Sequence, residues 1–321
     1  MAKSFLRWAG GKGWLTKTVA PIIVDRLGDG TYYEPFLGSA AMFFAVQPRR
    51  ATLSDNNKEL INAFRQVASR SEDLQRILRA LPSTKKEYYG LRSAVPGTVL
   101  ERAARFIYLN RNCWGGLYRE NRRGEFNVPY GGGTRNHASL LRGRLLQTVG
   151  SLLRRRNVRL LCCPFEEALQ NVGRGDVIYC DPTYRRQTRH HFDRYGANVF
   201  DWNDQKRLAS LAAKAFGKGA LVIVSNASCF GIADLYPDAL IIRTSRKKGF
   251  GNTNNRAALA EYVFVLDPEQ RVEQWLSVGK MIRQPEERTA TQMRRVMQRV
   301  LYSDLLVQIL KLAPVLRAPL R

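Results

Sequence analysis

Asp181-Pro182-Thr183-Tyr184 follows Asp176-Val177-Ile178-Tyr179-Cys180, a short apolar run with the character of a buried strand. A carboxylate, a proline and an aromatic ring at the carboxyl end of a strand could together hold a flat base that carries an exocyclic amine. The Asp181 carboxylate accepts one N–H of the amine, the Pro182 carbonyl accepts the other, and the Tyr184 ring stacks on the base. Such a grip suits transfer of a methyl group to the amine. The same four residues also read as a strand ending in a proline turn with a core tyrosine, and for an isolated tetrapeptide that plainer reading is the commoner one.

A second set of residues could hold a cofactor. Glu34-Pro35-Phe36-Leu37-Gly38 places one glycine after the apolar run Thr31–Tyr33, and Asp55 ends a second run, 17 residues beyond Gly38. A helix opening near Ser39 would offer its N-terminal dipole to an anion, and an acid ending the second strand commonly accepts hydrogen bonds from ribose hydroxyls. The three-glycine pyrophosphate fingerprint of dinucleotide enzymes is absent, which favours S-adenosylmethionine over a dinucleotide. Near the start, Phe5-Leu6-Arg7-Trp8-Ala9-Gly10-Gly11-Lys12 sets an aromatic ring and a cation around two glycines. Trp8 and Lys12 either close over the methionine part of such a cofactor or form a plain turn with a core tryptophan.

The elements that must position these residues alternate as in an α/β sheet. Thr31–Glu34 leads through its glycine turn into the apolar run Ala40–Val46. Arg50–Ser54 leads into a helix with Leu60, Ile61, Phe64, Val67 and Ala68 on one face. Asp176–Cys180 precedes a helix around Asp204–Phe216 and the β-branched strand Leu221–Val224. Between Asp55 and Asp176 the alternation stops. Val99, Ala103, Phe106, Ile107 and Asn110 recur at helical spacing, and a Gly- and Arg-rich stretch follows from Asn112 to Gly133. That interval reads as an inserted module, either one that reads a partner or a plain helical elaboration. Residues 240–266 read as a hairpin. Beyond Pro268 a helical tail carries Met293, Val296, Met297, Val300, Leu301, Ile309 and Leu310 in a stripe opposite Arg294, Arg295 and Arg299.

Charge points to a polyanionic partner. The 321 residues include 52 Lys and Arg against 27 Asp and Glu, a formal net charge of +25. Residues 101–160 contain 13 Arg, no Lys and only Glu101, Glu120 and Glu125 as acids, a local net of +10. Genome composition can raise total Arg usage but explains this clustering less well. No apolar stretch reaches membrane-spanning length, and Met1-Ala2-Lys3-Ser4-Phe5 does not enter a signal-peptide core. Five scattered cysteines and three histidines show no metal-ligand spacing. A cytoplasmic protein with reduced thiols and no metal is expected.

Taken in order, Arg7–Lys12, Glu34–Gly38, Ser54-Asp55-Asn56-Asn57, Phe106–Arg111, Arg123–Tyr130, Asp181–Tyr184 and Val224-Ser225-Asn226 resemble the motifs of the Dam-type (D12 class, alpha-group) DNA adenine-N6 methyltransferases. The resemblance runs from about Phe5 to Leu266. It implies a Rossmann-like S-adenosylmethionine-dependent methyltransferase sheet with an inserted, mainly helical target-recognition domain. The catalytic domain would comprise residues 1–56 and 160–266 and the insertion 57–159, leaving 267–321 as a basic helical tail without a family counterpart. It also implies that Trp8, Lys12, Asp55 and Asp181 bind S-adenosylmethionine, with Glu34, Phe36 and Gly38 in the same cofactor turn. Asp181, Pro182 and Tyr184 would be the catalytic group. Trp114, Leu117, Arg119, Arg123 and Pro129 would face double-stranded DNA, with Arg119 on a guanine of GATC and Arg7 on the outer base.

Three departures from the family pattern stand out. Thr183 replaces a second proline, Trp114-Gly115 replaces an aromatic–amide pair, and the tail is additional. The expected activity is methylation of N6 of a flipped-out adenine in duplex DNA, in a bacterial nucleoid or a phage-infected cell, by a monomer or a tail-mediated dimer. An RNA adenine or cytosine-N4 methyltransferase and a DNA-binding protein whose catalysis has lapsed are the alternatives.

Overall fold

In the computed structural model, residues 3–8, 10–121, 123–133, 136–183, 200–229, 231–246 and 259–270 are described. Tyr184, the hairpin connection 247–258 and the tail stripe lie outside these residues. The chain runs α1 (Thr16–Leu27), β1 (Tyr32–Glu34), α2 (Ala41–Val46), β2 (Ala51–Ser54), α3 (Lys58–Ala80), α4 (Lys85–Ser93), α5 (Val99–Asn112) and α6 (Leu145–Leu153). It continues through β3 (Val158–Leu161), α7 (Phe165–Ala168), β4 (Val177–Cys180), α8 (Trp202–Gly217), β5 (Leu221–Ala227), β6 (Leu240–Arg246) and β7 (Leu259–Leu266).

The strands form a seven-stranded sheet of order β3-β2-β1-β4-β5-β7-β6. β1 through β5 pair parallel, and β7 runs antiparallel to both β5 and β6. β1, β2 and β4 are buried along their whole length, as strands covered on both faces must be, which is why their sequences read as continuous apolar runs. On one face Tyr32, Val177, Tyr179, Ile223 and Val263 pack with residues of α1, α2, α3 and α5. On the other, Tyr33, Ile178, Cys180, Val222 and Phe264 pack with residues of α7 and α8. Strand order reverses between β1 and β4, so a crevice opens there at the carboxyl ends of the strands, where ligands bind in sheets of this kind. This is the Rossmann-like arrangement expected from the sequence.

Among the elements that the sequence reading did not single out, two show why. β3 is a half-exposed edge strand of only four residues, without the alternation or the apolar run that marks its neighbours. α1 contains Pro21, which breaks the usual helical signal. The anticipated hairpin is present as β6 and β7, with Arg243 opposite Tyr262.

The helices between β2 and β3 share the core of the first sheet face. α3 buries Leu60, Ile61, Phe64, Val67, Leu74 and Leu78, and the Phe5 ring meets Phe64 edge-on at 4.9 Å. Asn57 caps α3 by accepting the Leu60 N–H at 2.9 Å, and Thr98 with Glu101 forms a capping box on α5. Each such cap is worth about 1 kcal/mol. The N-terminal segment is thereby laid across the junction of sheet and helices.

Candidate active site at the carboxyl edge of the sheet

Asp181 follows the last residue of β4, one position beyond the strand, and so projects at the carboxyl edge. Its Oδ1 accepts a hydrogen bond from the Ser225 hydroxyl of neighbouring β5 at 2.8 Å. Lys12 Nζ lies 3.0 Å from the same oxygen and 3.5 Å from Glu261 Oε2 on β7, and donates to the Gly10 carbonyl at 3.1 Å. Lys12 is only 4% exposed, and a cation so buried persists only where acids and carbonyls surround it. Because β7 runs against its neighbours, the start of that strand reaches the edge where β4 and β5 end. Pro182 is buried and Thr183 is exposed.

Beside this group, Glu34 ends β1. Its Oε2 accepts the Tyr32 hydroxyl at 2.8 Å and the Phe43 N–H at 3.1 Å. An N-terminal N–H of α2 is therefore already satisfied by a protein carboxyl. Burial pushes the Glu34 pKa up to about 8, opposed by these two donors, with a further upward push from nearby Asp181. Asp55 joins the glycine turn after β1 to the start of α3, with Oδ2 accepting the Gly38 N–H at 3.1 Å and Oδ1 the Asn57 N–H at 3.0 Å. Burial raises its pKa too.

Gly38 has a φ of +46°, and a Cβ there would approach Trp8 Cδ1 to 3.0 Å. Both the backbone sign and the close indole require glycine. Phe36 lies with Phe165 and Phe200 in an aromatic trio, centroids 5.4 to 5.8 Å apart. The edge thus combines a buried cation, acids at the ends of β1 and β2, a glycine turn and flat apolar walls. These residues fit a cofactor that carries an amino acid, a ribose and an aromatic base. Among the described residues, no group of three His, Cys, Asp or Glu side chains is disposed to hold a metal ion.

Residues 112–131 form an irregular hairpin between α5 and α6. Trp114 N–H donates to the Pro129 carbonyl, Gly131 N–H to Asn112 and Asn127 N–H to Arg119. Asn121 organises the tip, its Oδ1 accepting the N–H groups of Arg123 and Glu125. Arg119 Nε donates to Asn127 Oδ1 at 2.7 Å, which fixes one edge of the guanidinium. The Trp114 ring is 54% exposed at the hairpin base; Arg123 and Pro129 are exposed, and Leu117 is half-buried. Asn110, buried in α5, clamps the backbone of Arg7 from both sides, accepting its N–H at 2.9 Å and donating to its carbonyl at 2.6 Å.

The structure therefore brings Lys12 to Asp181, Asp55 to Gly38, and Trp8 to the glycine turn. It sets Trp114, Leu117, Arg119, Arg123 and Pro129 on one hairpin, with Arg7 clamped to the helix that precedes it. Three participants were not singled out from sequence. Glu261 was legible as the one acid inside the apolar run of β7. Asn127 lies within the motif Arg123–Tyr130 but its pairing with Arg119 was not visible there, and Tyr118 carries no local signal, because its partner Trp8 is fixed only by the folded hairpin.

The family model of D12 class N6 adenine-specific DNA methyltransferases matches residues 8–250. A type II methyltransferase of Lactococcus lactis subsp. cremoris is 30% identical over 272 residues, covering 81% of this chain and 94% of the relative. A type II methyltransferase of Methanocaldococcus jannaschii is 32% identical over 249 residues, 70% of this chain and 84% of the relative. A DNA adenine methylase of Serratia marcescens is 31% identical over 273 residues, 81% of this chain and 98% of the relative. The fold and this extent of similarity define a methyltransferase. The chain belongs to the D12 class N6 adenine-specific DNA methyltransferases.

Proposed function

We propose that this enzyme transfers the methyl group of S-adenosylmethionine to N6 of an adenine flipped out of double-stranded DNA, at GATC or a related site. The observation that carries the reading is the Asp181 carboxyl, held on Oδ1 by Ser225 and Lys12 where the strand order reverses.

Lys12, Asp55, Glu34, Phe36, Gly38 and Trp8 would hold the cofactor, which supplies an electrophilic methyl group when bound. Lys12 suits a carboxylate, Asp55 the ribose hydroxyls and the Phe36 ring a base. Adenine N6 is a weak nucleophile because its lone pair is delocalised into the ring. With one N–H donated to Asp181 and the other to the Pro182 carbonyl, the nitrogen is drawn towards a pyramidal geometry with its lone pair directed outward. At that lone pair the bound cofactor would supply its methyl group, the N–C bond forming as the S–C bond breaks. The nitrogen would then lose a proton to the Asp181 carboxylate that accepts its N–H, and the carboxyl would pass it on to solvent. Tyr184 would stack on the extruded base, and positioning supplies most of the acceleration. Flipping costs a few kcal/mol of stacking and pairing.

The helical segment 57–159 acts in this reading as the target-recognition domain on the catalytic residues 1–56 and 160–266. Arg119 donates to a guanine, Trp114 and Leu117 enter the duplex beside Pro129, Arg7 meets the outer base, and Arg123 meets the backbone. Phosphate contacts from the Arg-rich segment make binding strongly salt-dependent.

The test is methyl transfer from tritiated S-adenosylmethionine to duplex DNA, single-stranded DNA and RNA. Label on duplex DNA alone supports the reading, and equal or greater label on RNA replaces it. Methylation-sensitive sequencing of DNA from cells expressing the chain identifies the site. Tyr184→Ala should lose nearly all transfer while still binding S-adenosylhomocysteine.

A further inference from the structure

We propose that Tyr118 is a positioning residue that links DNA reading to cofactor binding, its ring on the recognition hairpin holding the Trp8 indole against the glycine turn. The proposal rests on the function proposed above.

Tyr118 and Trp8 are stacked, with centroids 5.9 Å apart and an interplanar angle of 18°. The same indole also meets Gly38 through its Cδ1 and Nε1, where no side chain would fit without displacing it. Trp8 is thus one plate between the hairpin and the cofactor turn. Tyr118 is itself walled by Phe106 of α5 at 5.5 Å and Phe126 of the opposite hairpin limb at 5.8 Å, and its hydroxyl donates to Glu120. It immediately precedes Arg119, whose guanidinium is fixed by Asn127.

A second seam runs beside the first. Asn110 grips the Arg7 backbone, and a Cβ at Gly116 would come within 2.6 Å of Arg7 Cβ. Two consecutive residues, Arg7 and Trp8, therefore lie against the hairpin at two points.

The hairpin is held by a handful of backbone hydrogen bonds and two isolated bridges, Cys113 to Tyr130 and Glu120 to Phe126. Engagement of Arg119 by a base orders this segment, and the order passes through one peptide unit to the Tyr118 ring. A cofactor meeting an indole already fixed on its outer face loses less freedom on binding. By reciprocity the cofactor favours the duplex by the same factor.

The experiment measures the dissociation constant of S-adenosylhomocysteine by calorimetry, with and without a saturating duplex that carries the site methylated in cells, and with a duplex lacking it. In the wild type the cognate duplex should tighten binding about tenfold, within the usual range of coupling between sites. The site-free duplex should tighten it little. Tyr118→Leu should bind each ligand alone and lose the linkage, and Tyr118→Phe, which keeps the ring, should retain it. Arg119→Ala should reduce the cognate effect to that of the site-free duplex. A wild type that binds both ligands without linkage overturns the proposal, as does a Tyr118→Leu protein with wild-type linkage. A wild type that binds neither ligand overturns the functional reading instead. If Tyr118→Leu does not fold, the wild-type, Tyr118→Phe and Arg119→Ala linkages decide.

Discussion

Ser225 and Asp181 are joined by a 2.8 Å hydrogen bond across the parallel pair of β4 and β5, with the hydroxyl as donor. Ser225 is fully buried, so nothing in solvent substitutes for it. The bond fixes the plane of the carboxyl that would receive the adenine amine. Hydrogen bonds to charged groups are worth roughly 1.5–3 kcal/mol. Ser225→Ala should therefore lower kcat by about tenfold or more with a smaller change in KM for DNA, measured in steady-state methylation of duplex.

Lys12 stands between Asp181 and Glu261. Lys12→Met removes the cation and leaves two acids facing it, and breaking a buried ion pair in this way costs about 3–5 kcal/mol. The second change Glu261→Gln should restore part of the loss. A double-mutant cycle in urea unfolding reads this as a double variant more stable than Lys12→Met alone. Equal stabilities would remove Glu261 from the group.

Glu34 gives stability an unusual dependence on pH. Its folded pKa, about 8, lies above the ordinary carboxyl value of 4.5 because burial disfavours the anion. Its contribution is fully present below the unfolded pKa and declines as pH rises towards the folded one. Between those values Glu34→Gln, which cannot ionise, should show a flatter profile of unfolding free energy than the wild type. A wild-type curve no steeper than the variant's would refute the assignment.

His137 acts in the opposite direction. It is buried against Tyr108, with Nε2 3.0 Å from the Leu78 carbonyl and Nδ1 2.9 Å from Asn112 Nδ2. These partners assign the proton to Nε2 and make Nδ1 an acceptor. Burial lowers its pKa from the ordinary imidazole value of 6.5, so its stabilisation is present above that value and is lost as pH falls through the lowered folded pKa. The Asn112 it supports opens the hairpin proposed to read DNA. Duplex affinity should weaken on acidification together with stability, and His137→Gln should reduce the pH dependence of both.

How much of this was legible in the sequence follows from the physics of each element. β1, β2 and β4 are central and covered on both faces, so their apolar runs announced them, and Asp55 and Asp181 were placed by standing at their ends. β3 was invisible because an edge strand with three half-exposed residues and one exposed residue needs neither run nor alternation. Glycine at position 38 was noticeable as a turn residue, but its second reason, the indole 3.0 Å from a would-be Cβ, exists only in three dimensions. The Asn127–Arg119 and Tyr118–Trp8 pairs were equally hidden, since spacing along the chain says nothing of which ring lies under which. Thr183 was noticed as a departure, and its exposure next to buried Pro182 places it on the solvent side of the motif.

The clamp of Asn110 on Arg7 joins residues 103 apart in sequence, and Phe5 rests on Phe64 of α3. During synthesis residues 5–8 leave the ribosome well before the helices that seat them. The segment proposed to close over the cofactor must then wait, unanchored, until α5 has emerged and folded. Asp181 emerges later still, so in a chain stalled short of Asn110 neither the seat of residues 5–8 nor the carboxyl proposed to hold the target amine has yet been made.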